Sequence, residues 1–230
     1  MIDLNGVRVQ YPHQIHPWLE VKLTDEHMKY LWKTVKEGEE RADDMKNNLA
    51  GNISTSFALH DKDNYFSHEV LLPLAQHYKN VFTGDVEVKP SEGIDSNGNR
   101  LIPTRVSLSL KSFWANYQYK HEFNPLHNHG GAFSFVIWMK IPYDCEDQNK
   151  AKFLNGINDG QKVPGTFYFE FVNLLGEITP SLYPMSPEME GTMLFFPAKL
   201  RHGVHPFYEC DEKRVSLSGN LDFIFTYDKA

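Results

Sequence analysis

The chain has no run of about eighteen uncharged apolar residues, the length a helix needs to cross a bilayer. Residues 1–14 have neither the basic nor the apolar region of a secretory signal, so the expectation is a soluble protein made for the cytoplasm. Basic residues are also scarce. Lys and Arg number 23 against 30 Asp and Glu, the net charge is -7, and no basic block occurs. Phosphate-backbone affinity comes from clustered cations, so nucleic acid is not expected as a direct partner. The two cysteines make neither a disulfide scaffold nor a thiol-rich metal site. Cys145 lies among Asp144, Glu146 and Asp147, and Cys210 among Glu209, Asp211 and Glu212. Neighbouring carboxylates disfavour the thiolate, so both read as unreactive thiols. No internal repeat or low-complexity tract is found.

What is present is enough for one substantial core: 230 residues, 41% of them apolar, read as a single domain. Within it, residues 1–103 read as helical or irregular support and 104–230 as a β core. Thr24 is placed to cap a helix over 25–40 carrying Met28, Leu31, Trp32 and Val35 at helical spacing. Ser67 is placed to cap a second over 68–82 with Val70, Leu71, Leu74, Ala75 and Tyr78. Residues 47–64, rich in Asn, Ser, Gly and Asp, read as mostly irregular. The stretch 95–99 begins like a calcium loop, but its twelfth position is Val106 rather than Glu, so an Asn-Gly turn between strands is the sounder reading.

From Val106 onward the pattern is that of strands: 106–110, 113–119, 133–141, 166–172, 192–196, 214–218 and 221–227. Successive short strands after a helical segment predict a mainly β fold with N-terminal helices, a two-sheet jelly roll buttressed on one face. The polar interruption 144–165 is either a lid or a passive surface excursion.

Chemistry concentrates in four residues. His127 and His129 lie two apart, and in an extended segment they point the same way and can share one ion. His202, beyond another apolar strand, closes a three-residue set, and imidazole is an ordinary Fe(II) ligand. Arg214 follows, and a fixed guanidinium grips a carboxylate through two parallel hydrogen bonds. Arg214, Ser216, Ser218 and Asn220 share one strand face opposite Val215 and Leu217, and a polar inner face implies a polar ligand. The bland alternative pairs Arg214 with Glu209 or Asp211 at the surface. His205 has the opposite parity to His202 and is not expected to be a ligand. His13, His16, His60, His68, His77 and His121 have no comparable spacing. Trp114, Tyr117, Tyr119, Phe167 and Phe169 are candidates to line a pocket, although aromatic strand residues more often pack in a core.

Together, Trp114-Ala-Asn116, Asn124-Pro-Leu-His127-Asn-His129-Gly-Gly, Phe196-Pro-Ala-Lys-Leu-Arg-His202-Gly-Val-His-Pro206 and Arg214-Val-Ser216 to Asn220 resemble the 2-oxoglutarate- and Fe(II)-dependent oxygenases of the prolyl 4-hydroxylase-like superfamily, especially its small bacterial and phage versions. The resemblance covers about residues 104 to 228. It implies a double-stranded β-helix holding Fe(II) and 2-oxoglutarate at one open end. It further implies that O2-dependent decarboxylation to succinate is coupled to hydroxylation or a related oxidation of a second substrate, a peptide or a metabolite. A phage-encoded member would act in the host cytoplasm. His127 matches the first metal ligand, His202 the distal one, and Arg214 the binder of the far carboxylate of 2-oxoglutarate, with Ser216 beside it. Asn116 is a weaker match to the cosubstrate pocket.

The chain departs from the superfamily at His129, where Asp or Glu is usual. Either three histidines hold the iron, or His129 stands behind the ligands and another residue or water completes the set. Two other classes compete. A cupin-like metal protein is similar in Gly191, Pro197 and His202 and in H-x-H, but the Glu expected over 130–135 is missing. A non-catalytic jelly-roll assembly protein would carry its histidines incidentally. Arg214 discriminates, because only the oxygenase requires it inside the barrel.

Overall fold

A computed structural model of the chain describes residues 18–45, 51–83, 93–94 and 100–229. In chain order the main elements are β1 (Leu19–Lys22), α1 (Asp25–Arg41), β2 (Thr55–Ala58), α2 (Leu72–Tyr78), β3 (Gly93–Ile94), β4 (Arg100–Gln118), β5 (Asn124–His127), β6 (Phe133–Lys140), α3 (Cys145–Gln148), β7 (Phe167–Val172), β8 (Ile178–Tyr183), β9 (Thr192–Pro197), β10 (Arg201–Val204) and β11 (Arg214–Lys229). The strands form two sheets, β1-β9-β6-β11-β4-β2 with β3 beside β4, and β5-β10-β7-β8. All pairings among the described strands are antiparallel, and the chain passes from one sheet to the other between β4 and β5, β5 and β6, β6 and β7, β8 and β9, β9 and β10, and β10 and β11. This is the expected jelly roll.

Strand parity divides the core in two. Phe135, Ile137, Met193, Phe195, Val215 and Leu217 point outward from the larger sheet onto Leu31, Val35, Phe66, Val70, Leu71, Ala75 and Tyr78 of the helical layer. The alternate residues Val136, Trp138, Leu194 and Phe196 point inward and meet Phe167, Phe169 and Val204 of the smaller sheet. A strand stretch buried on both faces must be apolar throughout, which explains the unbroken run Phe135–Met139 in β6.

The helix over 25–40 is observed as α1, and Thr24 caps it by accepting from His27 N–H at 3.2 Å. Thr24→Ala is expected to cost about 1 kcal/mol, lowering the melting midpoint by roughly 2–4 °C. An unchanged midpoint in a thermal melt would show that the cap contributes nothing. At the far end, a Cβ on Gly38 would come within 2.6 Å of Leu59 Cδ2 and 3.1 Å of Ala58 O, so α1 approaches β2 closely there and any side chain would have to displace Leu59.

Several expectations need correction. Trp32 is 40% exposed rather than packed with the α1 stripe. Ser67 does not cap the second helix; Asp61 accepts from Phe66 N and Ser67 N at 2.8 Å each and takes the Ser67 hydroxyl at 2.6 Å. That helix opens with a wide π-type stretch, Ser67–Leu71, just before Pro73, which has no N–H to donate. The region 47–64 contains β2, whose Ser56 hydroxyl donates to Asn116 Oδ1 at 2.8 Å. The strands predicted at 106–110 and 113–119 are one, β4, and those at 214–218 and 221–227 are one, β11. The proposed turn at 95–99 lies outside the described residues, as do His13 and His16. Among the described residues no helix is long and apolar enough to cross a membrane.

The excursion 144–165 is anchored by buried residues in its first half and exposed over 155–161. Asp144 caps α3 by accepting from Glu146 N at 2.7 Å, and Cys145, Gln148, Ala151 and Leu154 are buried. Burial, more than the neighbouring Asp144, pushes the Cys145 thiol up, and its sulfur accepts from Met185 N.

Candidate functional site

The antiparallel register of β5 and β10 sets His127 directly opposite His202. His129 lies just past the end of β5, where its N–H donates to Ala198 O at 2.9 Å, while Ala198 N donates to Ala132 O at 3.0 Å. Those two bonds tie the histidine loop to the turn between β9 and β10. Gly131 makes this loop possible: its φ is 93°, and a Cβ there would lie 2.7 Å from Leu221 O. The three imidazoles converge, with centroids 4.4 Å apart for His127 and His202, 4.9 Å for His127 and His129, and 5.1 Å for His129 and His202. One ligand atom from each lies within 4.8 Å of the others.

Two of the rings are held by backbone carbonyls. Nδ1 of His127 lies 2.7 Å from Pro125 O, and Nδ1 of His202 lies 2.9 Å from Leu200 O. A carbonyl only accepts, so each Nδ1 carries a proton, the tautomer that in a neutral ring leaves the lone pair on Nε2. Burial, reinforced by His127, pulls His129 down to about 4 and His202 to about 3. Phe167, Phe169 and Phe196 supply much of the apolar wall around His202. At neutral pH these two imidazoles are uncharged, the state in which they can coordinate a metal.

Arg214 begins β11 and is 2% exposed, inside the barrel rather than at the surface. Nη1 donates to the Tyr143 hydroxyl at 3.2 Å, and Nη2 donates to Gln118 Oε1. Among the described residues its Nε has no acceptor and no carboxylate lies within ion-pair range. Asp211, one candidate surface partner, pairs with Lys120 instead. Tyr143 donates in turn to Gly165 O at 2.8 Å, and burial pushes its phenol up, so it stays protonated.

A cavity of about 420 Å³ joins these groups, reaching His127, His129, His202, Arg214 and Ser216. Asn116 also lines it, opposite Ser216 in the β4–β11 register, and so do Ser218 and Asn220, as their parity with Arg214 requires. Ser134 donates to Asn220 at 2.7 Å, and Asn220 donates to Ser112 at 3.0 Å, so the inner polar face is internally bonded. Of the aromatic candidates, Trp114 and Phe167 line the cavity. Tyr117 and Tyr119 do not: Tyr117 faces the helices and donates to Glu39, and Tyr119 is exposed. Phe169 is buried in the core between the sheets. His205 stacks on Tyr168 with centroids 4.6 Å apart, outside the histidine set. Sequence reasoning missed Gln118 and Tyr143. Gln118 shares strand parity with Asn116, the one signal that could have found it; for Tyr143 there was none.

Comparison with solved structures finds an oxidoreductase of the 2OG-Fe(II) oxygenase family from Burkholderia pseudomallei, 14% identical, covering 89% of this chain and 84% of that one, with a TM-score of 0.44. A prolyl-4-hydroxylase from Pseudomonas putida is 11% identical, covers 94% of each chain and has a TM-score of 0.49. A prolyl hydroxylase from Trichoplax adhaerens, in complex with a hypoxia inducible factor oxygen degradation domain peptide fragment, is 9% identical, covers 92% and 83%, and also has a TM-score of 0.49. Among curated proteins none matches. Residues 112–220, which contain all three histidines and Arg214, match the family described as "Putative 2OG-Fe(II) oxygenase", whose members use Fe(II), 2-oxoglutarate and O2.

Proposed function

We propose that this chain is a dioxygenase in which His127, His129 and His202 hold Fe(II), and Arg214 with Ser216 binds the far carboxylate of 2-oxoglutarate. The observation that carries this reading is the buried guanidinium of Arg214 without a carboxylate partner among the described residues, in one cavity with three converging imidazoles. A buried cation is costly unless an anion meets it, and a carboxylate matches its planar fork. The donor set fits Fe(II), since imidazole nitrogens suit this metal and three ligands leave positions open. Bound Fe(II) supplies the redox chemistry with O2.

The chain's own residues then position and shield. Gln118 and Tyr143 fix the guanidinium, Asn116 and Ser216 present polar groups to the cosubstrate, and the phenylalanines around His202 keep water from the metal side. The overall change is 2-oxoglutarate plus O2 plus substrate giving succinate, carbon dioxide and hydroxylated substrate. The chain acts as one domain, with the helices closing the outer face of the larger sheet. The cupin-like alternative gives no role to a buried Arg214.

The direct test is succinate formation by the purified protein with Fe(II), 2-oxoglutarate and O2, alone and with candidate peptides and metabolites. Succinate that disappears on chelation or under nitrogen is the expected result. If no succinate forms under any of these conditions although Fe(II) and 2-oxoglutarate both bind, the dioxygenase reading is wrong.

A further inference from the structure

The two sheets differ in what covers them. The helical layer packs on the outer face of the larger sheet, and the described residues leave the outer face of the smaller one uncovered at β7 and β8. On β8, Ile178, Pro180 and Leu182 are exposed and alternate with half-buried Thr179, Ser181 and Tyr183, so an apolar row points away from the core. Register sets Val172 opposite Ile178 and Tyr168 opposite Leu182, which joins β7 to the same face. Val172 is 65% exposed, Ile178 68% and Leu182 42%, and the turn between the strands adds Leu174 at 61% and Leu175 at 84%.

This face is flat and rigid. Tyr168 lies over Gly203, where an added Cβ would meet its hydroxyl at 2.6 Å, and it stacks on His205 with ring planes 19° apart. In the turn, Asn173 Oδ1 accepts from Leu175 N at 2.9 Å and from Glu177 N at 3.0 Å, and its Nδ2 donates to Glu177 Oε2 at 2.9 Å. Two leucines are thus held out into water by a preorganised backbone, and burying them costs little further ordering. Glu170 and Arg201, on the same face, pair at 2.9 Å and cancel. A fully buried aliphatic side chain removes on the order of 100 Å² from water, so side chains this exposed present roughly 300–400 Å² of apolar surface, the size of patch that marks an interaction site. A standard interface buries about 800 Å² per partner, a little over half of it apolar, so this face supplies most of what a dimer needs.

We propose that the outer face of the β7–β8 hairpin is the contact between two copies of this chain, packed sheet on sheet about a two-fold axis. A flat apolar face whose Glu170–Arg201 pair is already neutralised offers no net charge by which to select a different partner, and it is complementary to a copy of itself. The contact is through the face rather than the edge, because Pro180 has no N–H and blunts β8 against strand addition. Two-fold closure ends the association at two copies. Neither metal nor cosubstrate takes part in it.

Sedimentation velocity of the purified chain from about 1 to 100 μM, which brackets the weak end of affinities for an interface of this size, measures the association. A wild-type dimer is expected. Leu175→Asp and Ile178→Lys should each weaken it about a hundredfold or more, because two-fold symmetry presents every substitution twice and buries an unpaired charge at each. Both positions lie at the surface, and far-UV circular dichroism matching wild type establishes that the variants are folded. Hydrogen exchange of wild type needs no variant: backbone amides of 172–182 should be better protected at the high concentration than at the low one. A wild type that stays monomeric across the range overturns the proposal, and so does a dimer that both folded variants retain. A monomer that binds phosphatidylcholine vesicles, with binding lost in Leu175→Asp, would assign the patch to a lipid surface instead. A monomer whose amides at 172–182 are protected at every concentration would show that the chain covers this face itself.

Discussion

His127→Ala and His202→Ala should each abolish stoichiometric Fe(II) uptake. These residues face one another across the β5–β10 pairing, and each has its ring fixed by a backbone carbonyl, so neither position is supplied by a mobile side chain. Removing a mere outer partner of a ligand typically costs 10–100-fold in metal affinity, so losing a ligand should cost about 100-fold or more. The apoprotein should remain folded, because β5 and β10 contribute little to the two apolar clusters. The added stability that metal confers on wild type, about 2.7 kcal/mol at a hundredfold excess over Kd, should vanish in both variants. Anaerobic Fe(II) titration with equilibrium dialysis, paired with thermal melts with and without metal, measures both effects. Full affinity in all three single histidine variants would place the metal elsewhere. His129→Ala separates the two readings of that residue: a loss as large as for His127 makes it a ligand, and a loss under tenfold makes it a supporting group.

The second large effect concerns Arg214, and it should leave iron binding untouched. Arg214→Ala is expected to weaken 2-oxoglutarate by about 2 kcal/mol or more, roughly thirtyfold, as a buried carboxylate loses its partner. Arg214→Lys keeps the charge but loses the planar fork that Gln118 and Tyr143 hold, so it should fall between Ala and wild type. Because the guanidinium has no ion-pair partner among the described residues, removing it breaks no protein salt bridge, and the ligand-free protein should not lose the several kcal/mol typical of a broken buried pair. Anaerobic titration of 2-oxoglutarate into the Fe(II) protein, followed by the metal-to-ligand charge-transfer band, decides the matter. An Arg214→Ala protein that binds as tightly as wild type, or a wild type with no such band, would return the cupin-like reading to first place.

Local periodicity settled a good deal by itself. A strand's side chains alternate with period two, so Arg214, Ser216, Ser218 and Asn220 had to share a face, and all four line the cavity. A helix repeats near 3.6, so Leu31 and Val35, and Val70, Leu71, Ala75 and Tyr78, had to share theirs, and all are buried. Thr24 has the chemistry of an N-cap and acts as one. The H-x-H spacing, the glycines after it and the placement of an arginine on a polar strand face singled out residues that the fold brings to one cavity.

What the sequence could not decide is which face goes where, because parity groups residues without orienting the groups. On β4 both Trp114-Asn116-Gln118 and Phe113-Ala115-Tyr117 contain aromatics, and only packing against the helices turned Tyr117 outward and Trp114 inward. Exposure of Trp32 follows from the same cause, since the width of the buried stripe on α1 is set by what it meets. Short β2, β5 and β10 carry weak local signals and exist through pairing with longer neighbours. The opposition of His127 and His202 and the closure of Gln118 and Tyr143 on Arg214 join residues far apart in the chain. Such contacts are fixed by sheet register and core packing, which are tertiary properties, whereas the residue types that use them were legible in the sequence from the start.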